Sequence, residues 1–187
     1  MKVVRAFVGF FTTKSIHEVS EKLRKEAGYG IIGKWVEPQN LHITLQFLGD
    51  INESQAIDVI KNLQEIAKRN IPFKLTYKGL GVFPDAKRAK VLWIGVSEGS
   101  EKLKDLAKSV EKMNARAGIP PSSKVFIPHL TICRIKKYDQ RVLTHLLNKY
   151  RTVEFGEDEV KSIALISSTL TAVGPIYTVV EEFHLGV

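Results

Sequence analysis

Two histidines in this sequence are each followed, two residues on, by a threonine inside an alternating apolar run: His42-Ile43-Thr44-Leu45 and, 87 positions later, His129-Leu130-Thr131-Ile132. In an extended strand, residues two apart project from one face, so each motif stands an imidazole beside a hydroxyl with its apolar residues turned the other way. Imidazole titrates near neutrality, and of two such groups one can be neutral and accept a proton while the other is charged and donates one. Cleaving or forming a phosphodiester needs those two transfers on opposite sides of phosphorus. Threonine hydroxyls can meanwhile donate hydrogen bonds to the non-bridging oxygens as fixed dipoles. A single histidine in a strand beside a threonine does no more than satisfy a buried hydrogen bond; a matched pair in a basic chain points to a phosphate site.

The charge balance agrees with that reading. There are 28 Lys and Arg residues against 20 Asp and Glu, a net charge of +8, which favours an anionic partner such as nucleic acid or a nucleotide phosphate. The denser positive stretches are Lys87-Arg88-Ala89-Lys90 and Arg134-Ile135-Lys136-Lys137, the second of which abuts the second His-Thr strand; the remaining lysines read as solvated faces. Other chemistries lack their residues. There is no Cys-x-x-Cys, no His-Glu-x-x-His and no carboxylate at ligand spacing beside either motif, so no metal is expected. Nor is there a Gly-x-x-x-x-Gly-Lys-Ser/Thr phosphate loop. Cys133 is the one cysteine and lies in a strand pattern, as a buried inert thiol. His17, His145 and His184 read as surface or structural residues.

The elements that must position the motifs follow from periodicity. With 187 residues and 44% hydrophobic content, the chain suits one domain, or two small, closely packed lobes, over residues 1–187. No stretch has the length of a membrane span, and the N-terminus lacks a cleavage-site pattern, so a soluble cytoplasmic protein is expected. A strand is predicted at 3–11 with Thr12 and Thr13 as caps for a helix inward at Ile16, Val19, Leu23 and Ala27, then tight glycine-rich connections at 28–33. The first His-Thr strand, 40–49, should turn Ile43, Leu45 and Phe47 into the core. Asn52-Glu53-Ser54-Gln55 reads as a capping box for a helix to about Arg69. Strands at 73–77, running irregularly on to 84, and at 91–96 precede a helix capped by Ser100 and inward at Leu103, Leu106, Val110 and Met113. After the second His-Thr strand come a helix from Asp139 to Tyr150, an acidic turn at 157–159 and an antiparallel pair at 160–170 and 176–185. Strands and helices in this order indicate an α+β fold: bilobal, with two pseudo-twofold-related halves of antiparallel strands and helices around a central cleft holding both histidines.

The His-Thr pair resembles the signature of the two-histidine (2H) phosphoesterase superfamily. Arg5-Ala6-Phe7, Trp35-Val36 before Asn40-Leu41-His42, Phe47-Leu48-Gly49, Gly81-Val82-Phe83-Pro84, Pro128, Arg134, and Ser168-Thr169-Leu170 with Gly174-Pro175-Ile176-Tyr177 narrow the resemblance to its RNA 2',3'-cyclic phosphodiesterase branch, long called 2'-5' RNA ligase. The likeness runs over nearly the whole chain. It implies hydrolysis of RNA 2',3'-cyclic phosphate ends to 2'-phosphates without metal or cofactor, and a reverse joining of such ends to a 5'-hydroxyl, with tRNA halves and nucleotides as partners and no protein partner. By that resemblance His42 is the proton donor to the departing 3'-oxygen, His129 the proton acceptor that activates water, and Thr44, Thr131 and Arg134 bind the phosphate; nothing in the sequence prevents exchanging the two histidine roles. Arg134, five residues after His129, should face away from it on a regular strand, and a bulge would turn it back. Gln46 stands where family members often carry lysine. Phe11 and Tyr177 are placed either to stack on a base or to pack in the core. Two other functions fit the same motifs: a non-catalytic module for RNA ends or nucleotides, and a cyclic phosphodiesterase of small nucleotides.

Overall fold

Apolar alternation builds nine strands here and amphipathic periodicity builds four helices among the residues described, 2–187 of a computed structural model. In chain order they are β1 (Val3–Phe11), α1 (His17–Ala27), β2 (Ile31–Trp35), β3 (His42–Asn52), α2 (Glu53–Lys68), β4 (Phe73–Phe83), β5 (Val91–Val96), α3 (Ser100–Ala115), β6 (His129–Tyr138), α4 (Gln140–Lys149), β7 (Glu154–Val160), β8 (Ser162–Thr171) and β9 (Gly174–His184). Two antiparallel sheets result, one in the order β3-β1-β8-β9 and one in the order β2-β6-β5-β4-β7. The units β1-α1-β3-α2 and β5-α3-β6-α4 repeat one another, each putting its His-Thr strand beside its first strand.

The repeats are interlocked. Strand β4, which follows the first unit, pairs with β5 of the second, and β8, which follows the second, pairs with β1 of the first. Neither unit completes a sheet alone. Helix α2 packs on β3, β8 and β9, α3 on α2 and β3, and α4 on β4 and α1, so one continuous core joins both sheets, with Val8, Ile43, Leu63, Leu75, Ile94, Leu103, Val110, Leu130 and Leu143 fully enclosed. Each such side chain withdrawn from water contributes about 1.5–3 kcal/mol. Met113 packs partly buried against this core, as its place in the α3 stripe predicts.

Several expectations are corrected. The glycine-rich stretch is not loop throughout: Ile31–Trp35 pairs with β6 as an outer strand. The acidic run Glu157-Asp158-Glu159 is not a turn but lies within β7, opposite Thr76, Leu75 and Lys74 of β4. Its charges are met from outside the strand: Lys74 reaches Glu157 at 2.6 Å, and Asp158 accepts from the Tyr77 hydroxyl at 2.8 Å and from the Thr13 backbone and hydroxyl. Thr13 therefore ties β7 to the start of α1 instead of capping a helix, and α3 begins after Gly99 with Ser100 inside it. The capping box forms: the Asn52 side chain accepts from the Gln55 backbone at 2.9 Å, and the Gln55 side chain accepts from the Asn52 backbone at 3.1 Å. Replacing Asn52 by Ala removes the first of these bonds and loosens the second; chemical denaturation should show a loss of about 1 kcal/mol with an unchanged denaturant slope.

Candidate active site

Strands β3 and β6, which carry the two motifs, approach within 8 Å between Cα atoms, and His42 lies close enough to His129 to feel its charge. His42 lies opposite Phe11 of β1 and Thr44 opposite Gly9; in the other sheet His129 lies opposite Gly95 of β5 and Thr131 opposite Trp93. Gly9 is needed at its position, because a Cβ there would stand 2.3 Å from the Ile43 carbonyl oxygen, inside the backbone that joins His42 to Thr44.

Both imidazoles are held in the same way. The Nδ1 atom of His42 lies 2.7 Å from the carbonyl oxygen of Asn40, and that of His129 lies 2.6 Å from the carbonyl oxygen of Ile127. A carbonyl can only accept, so Nδ1 carries the hydrogen in each ring and Nε2 is left as the atom that gains or loses a proton. Aromatic rings fix the planes. Phe7 lies 4.7 Å and Tyr177 5.0 Å from the His42 ring, and Phe83 lies edge-on 4.9 Å from the His129 ring with Trp93 behind it. Phe7 belongs to a second, small apolar cluster with Ala164 and Ile166, against which Phe11 and Tyr177 pack.

A strand irregularity decides what else reaches this face. In β6, Leu92 is opposite Cys133 and Trp93 opposite Thr131, so Ile132 is an extra residue; Ile132 and Cys133 both turn inward and Arg134 returns to the face of His129 and Thr131. Strand β3 carries the same bulge at the same place. Val8 is opposite Gln46 and Gly9 opposite Thr44, so Leu45 is extra, and Leu45 and Gln46 both point inward. Phe47 is thereby turned out beside Phe7, 69% exposed, instead of into the core as expected. Phe47 and Arg134 each follow their histidine by five residues and occupy matching places in the two halves. Gln46 meets no substrate-facing space; its side-chain oxygen accepts from Asn114 of α3 at 2.9 Å.

The electrostatics couple these groups. Burial lowers the pKa of both histidines below the ordinary imidazole value of 6.5, the carbonyl bonds oppose that shift, and the Arg134 cation lowers both further; the charge of His129 also lowers His42. The phenol of Tyr177 is raised by burial, and Arg134 opposes the rise. Arg134 is thus felt by His42, His129 and Tyr177 together. Burial pushes the Cys133 thiol up to about 12, in keeping with an inert core residue. His17 and His145 lie on the outer faces of α1 and α4, and His184 is exposed beside Glu182 at 3.9 Å. Among the described residues no cluster of His, Cys, Asp or Glu has the makings of a metal site.

Sequence reading missed Phe7, Phe83, Trp93 and Phe47. The signal for Phe47 is the repeat itself, since the five-residue step from His129 to Arg134 carried over to His42 lands on it. For Phe7 it is the period-two set Phe7, Gly9, Phe11 on the β1 face opposite the first motif.

Histidines with lowered native pKa values leave the unfolded chain binding more protons just below pH 6.5, so stability is complete above that value and is lost as pH falls toward the native pKa values. Denaturation curves across that window, above the carboxylate range, should show a shallower decline for His42→Gln with His129→Gln than for the wild type; parallel declines would contradict the shifts.

Comparison with known proteins places this geometry. The family model described as LigT like Phosphoesterase matches twice, over residues 10–93 and 94–177, each match holding one His-Thr motif. The chain is 73% identical over 187 residues, all of both chains, to the RNA 2',3'-cyclic phosphodiesterase of Aquifex aeolicus. Its fold matches the crystal structure of TT0787 of Thermus thermophilus with a TM-score of 0.82 at 28% identity, over 97% of this chain and 98% of that one. It also matches E. coli LigT complexed with 3'-AMP with a TM-score of 0.79 over 98% and 99%; at 24% identity that likeness concerns the fold alone. The chain belongs to the LigT-like phosphoesterase family.

Proposed function

We propose that residues 1–187 act as one two-lobed, cytoplasmic hydrolase that opens RNA 2',3'-cyclic phosphate ends to 2'-phosphomonoesters. The observation that carries the reading is the mirrored pair of imidazoles, each with Nδ1 locked on a carbonyl two residues upstream, Nε2 free, and a threonine two residues on, on strands within 8 Å of each other. The name of the 73% identical relative supports the substrate class.

In the reaction, water attacks phosphorus and passes a proton to the neutral Nε2 of His129 while the bond from phosphorus to the 3'-oxygen breaks. The departing 3'-oxygen takes the proton from the charged Nε2 of His42, leaving a 2'-phosphate and a 3'-hydroxyl. The fixed Nδ1–H bonds keep each ring in the one tautomer that can do this. Thr44 and Thr131 donate to the non-bridging oxygens, and Arg134, turned to this face by its bulge, balances the charge that builds on phosphorus. Phe47 offers an open aromatic face to a base. With a 5'-hydroxyl in the place of water the same two transfers join RNA ends through a 2'-5' linkage. No step calls on a metal.

Both histidines titrate below 6.5 in the free protein, so the bell-shaped profile of kcat/KM should peak on the acid side of that value, and Arg134→Gln should shift both limbs upward while lowering the rate by about a hundredfold. His42→Ala and His129→Ala should each lower turnover of a cyclic-phosphate-ended RNA by about a thousandfold in excess EDTA, with phosphorus NMR identifying the 2'-phosphate made by the wild type. Full activity in both single variants would overturn the reading. Salt-sensitive binding without any turnover by the wild type would instead indicate a binding module.

A further inference from the structure

Strand β2 has no counterpart in the first half: β6 has β2 on its outer side, whereas β3 ends its sheet. The added strand brings charge. Lys34 is directly opposite Arg134 in the β2–β6 ladder, and residues opposed in an antiparallel pair share a face with Cβ atoms about 4.5–5.5 Å apart. Two cations so placed repel one another. Neither they nor Lys136 and Lys137 form an ion pair with an acidic group among the described residues, so the protein leaves the charge of this row unneutralised. Along β6 the face continues outward from His129 and Thr131 through Arg134 to Lys137, which lies opposite the outward-facing Ile32, with Lys136 as the extra, exposed residue of a further bulge. The eight steps of strand from His129 to Lys137, two of them taken up by bulges, span roughly 20 Å.

We propose that the RNA body, the chain on the 5' side of the cyclic phosphate, leaves the cleft over the β2–β6 ladder, with Lys34 and Lys137 holding its phosphates. The inference rests on the reading that the cleft takes RNA ends, and it specifies the substrate: a single strand several nucleotides long in preference to a mononucleotide. A row of unneutralised cations is unfavourable alone and is relieved by a polyanion, which releases its counterions on binding. The matching stretch of the first half, β3, runs through Gly49 and Asp50 to Asn52 and carries no such row.

The test is binding without turnover, which keeps it independent of the catalytic reading. Anisotropy titrations use a fluorescent single-stranded RNA hexamer ending in a 2'-phosphate, with adenosine 2'-phosphate as competitor, against the full chain. Lys34→Glu with Lys137→Glu should weaken hexamer binding by about tenfold or more and flatten its logarithmic salt slope by about 1.4, two phosphate contacts at about 0.7 each, while adenosine 2'-phosphate keeps its affinity within about twofold. Lys61→Glu with Lys108→Glu, on the exposed faces of α2 and α3, makes the same change in net charge and should leave hexamer binding within about twofold. Equal weakening by both double variants would reduce the effect to bulk charge and overturn the track, as would unchanged hexamer binding in Lys34→Glu with Lys137→Glu.

Discussion

The exchange of β4 and β8 between the two halves is the constraint on which the site depends. The hydrogen bonds of the β1–β8 and β4–β5 ladders tie each half's sheet to a strand delivered by the other, so the spacing of β3 and β6 does not rest on side-chain packing alone. The proposed acid–base chemistry needs that spacing, because reacting groups displaced by about an ångström lose much of their advantage. A pair of domains joined by a linker would leave the two imidazoles free to drift apart; interlocked sheets do not.

On this symmetric frame the differences are local. Opposite the first motif β1 has Gly9 and Phe11, and opposite the second β5 has Trp93 and Gly95, so the glycine and the aromatic trade places. A guanidinium stands in one half where a phenyl ring stands in the other. Symmetry brings two like histidines together, and these exchanges make their surroundings unlike, which is what an acid and a base need if they are to hold different protonation states.

The parts of the fold that depend on a segment's own residues were legible in the sequence. The α3 stripe of Leu103, Leu106 and Val110 and the Asn52–Gln55 box are set by helical spacing, and each His-Thr pair by strand spacing. What was not legible depends on a partner strand. Nothing within 42–49 marks Leu45 as extra; that follows from its register with β1, and with it goes the face of Phe47. Gly28, Gly30 and Gly33 signal turns, and only the ladder to β6 makes residues 31–35 a strand. The acids of β7 read as a turn because Lys74, Tyr77 and Thr13, which satisfy them, arrive from distant segments. Phe7, Phe83 and Trp93 read as ordinary core because an aromatic in an apolar strand carries no mark of the imidazole it touches.

The bulges of β3 have a second effect. This strand is the outer member of its sheet, and a long flat margin of free amide and carbonyl groups invites another chain to add itself there. Extra residues at Leu45 and Leu48 break the even spacing of that margin and twist it, and Gly49 and Asp50 follow directly. The irregularity that turns a phenyl ring toward the cleft thus also guards this outer strand against self-association.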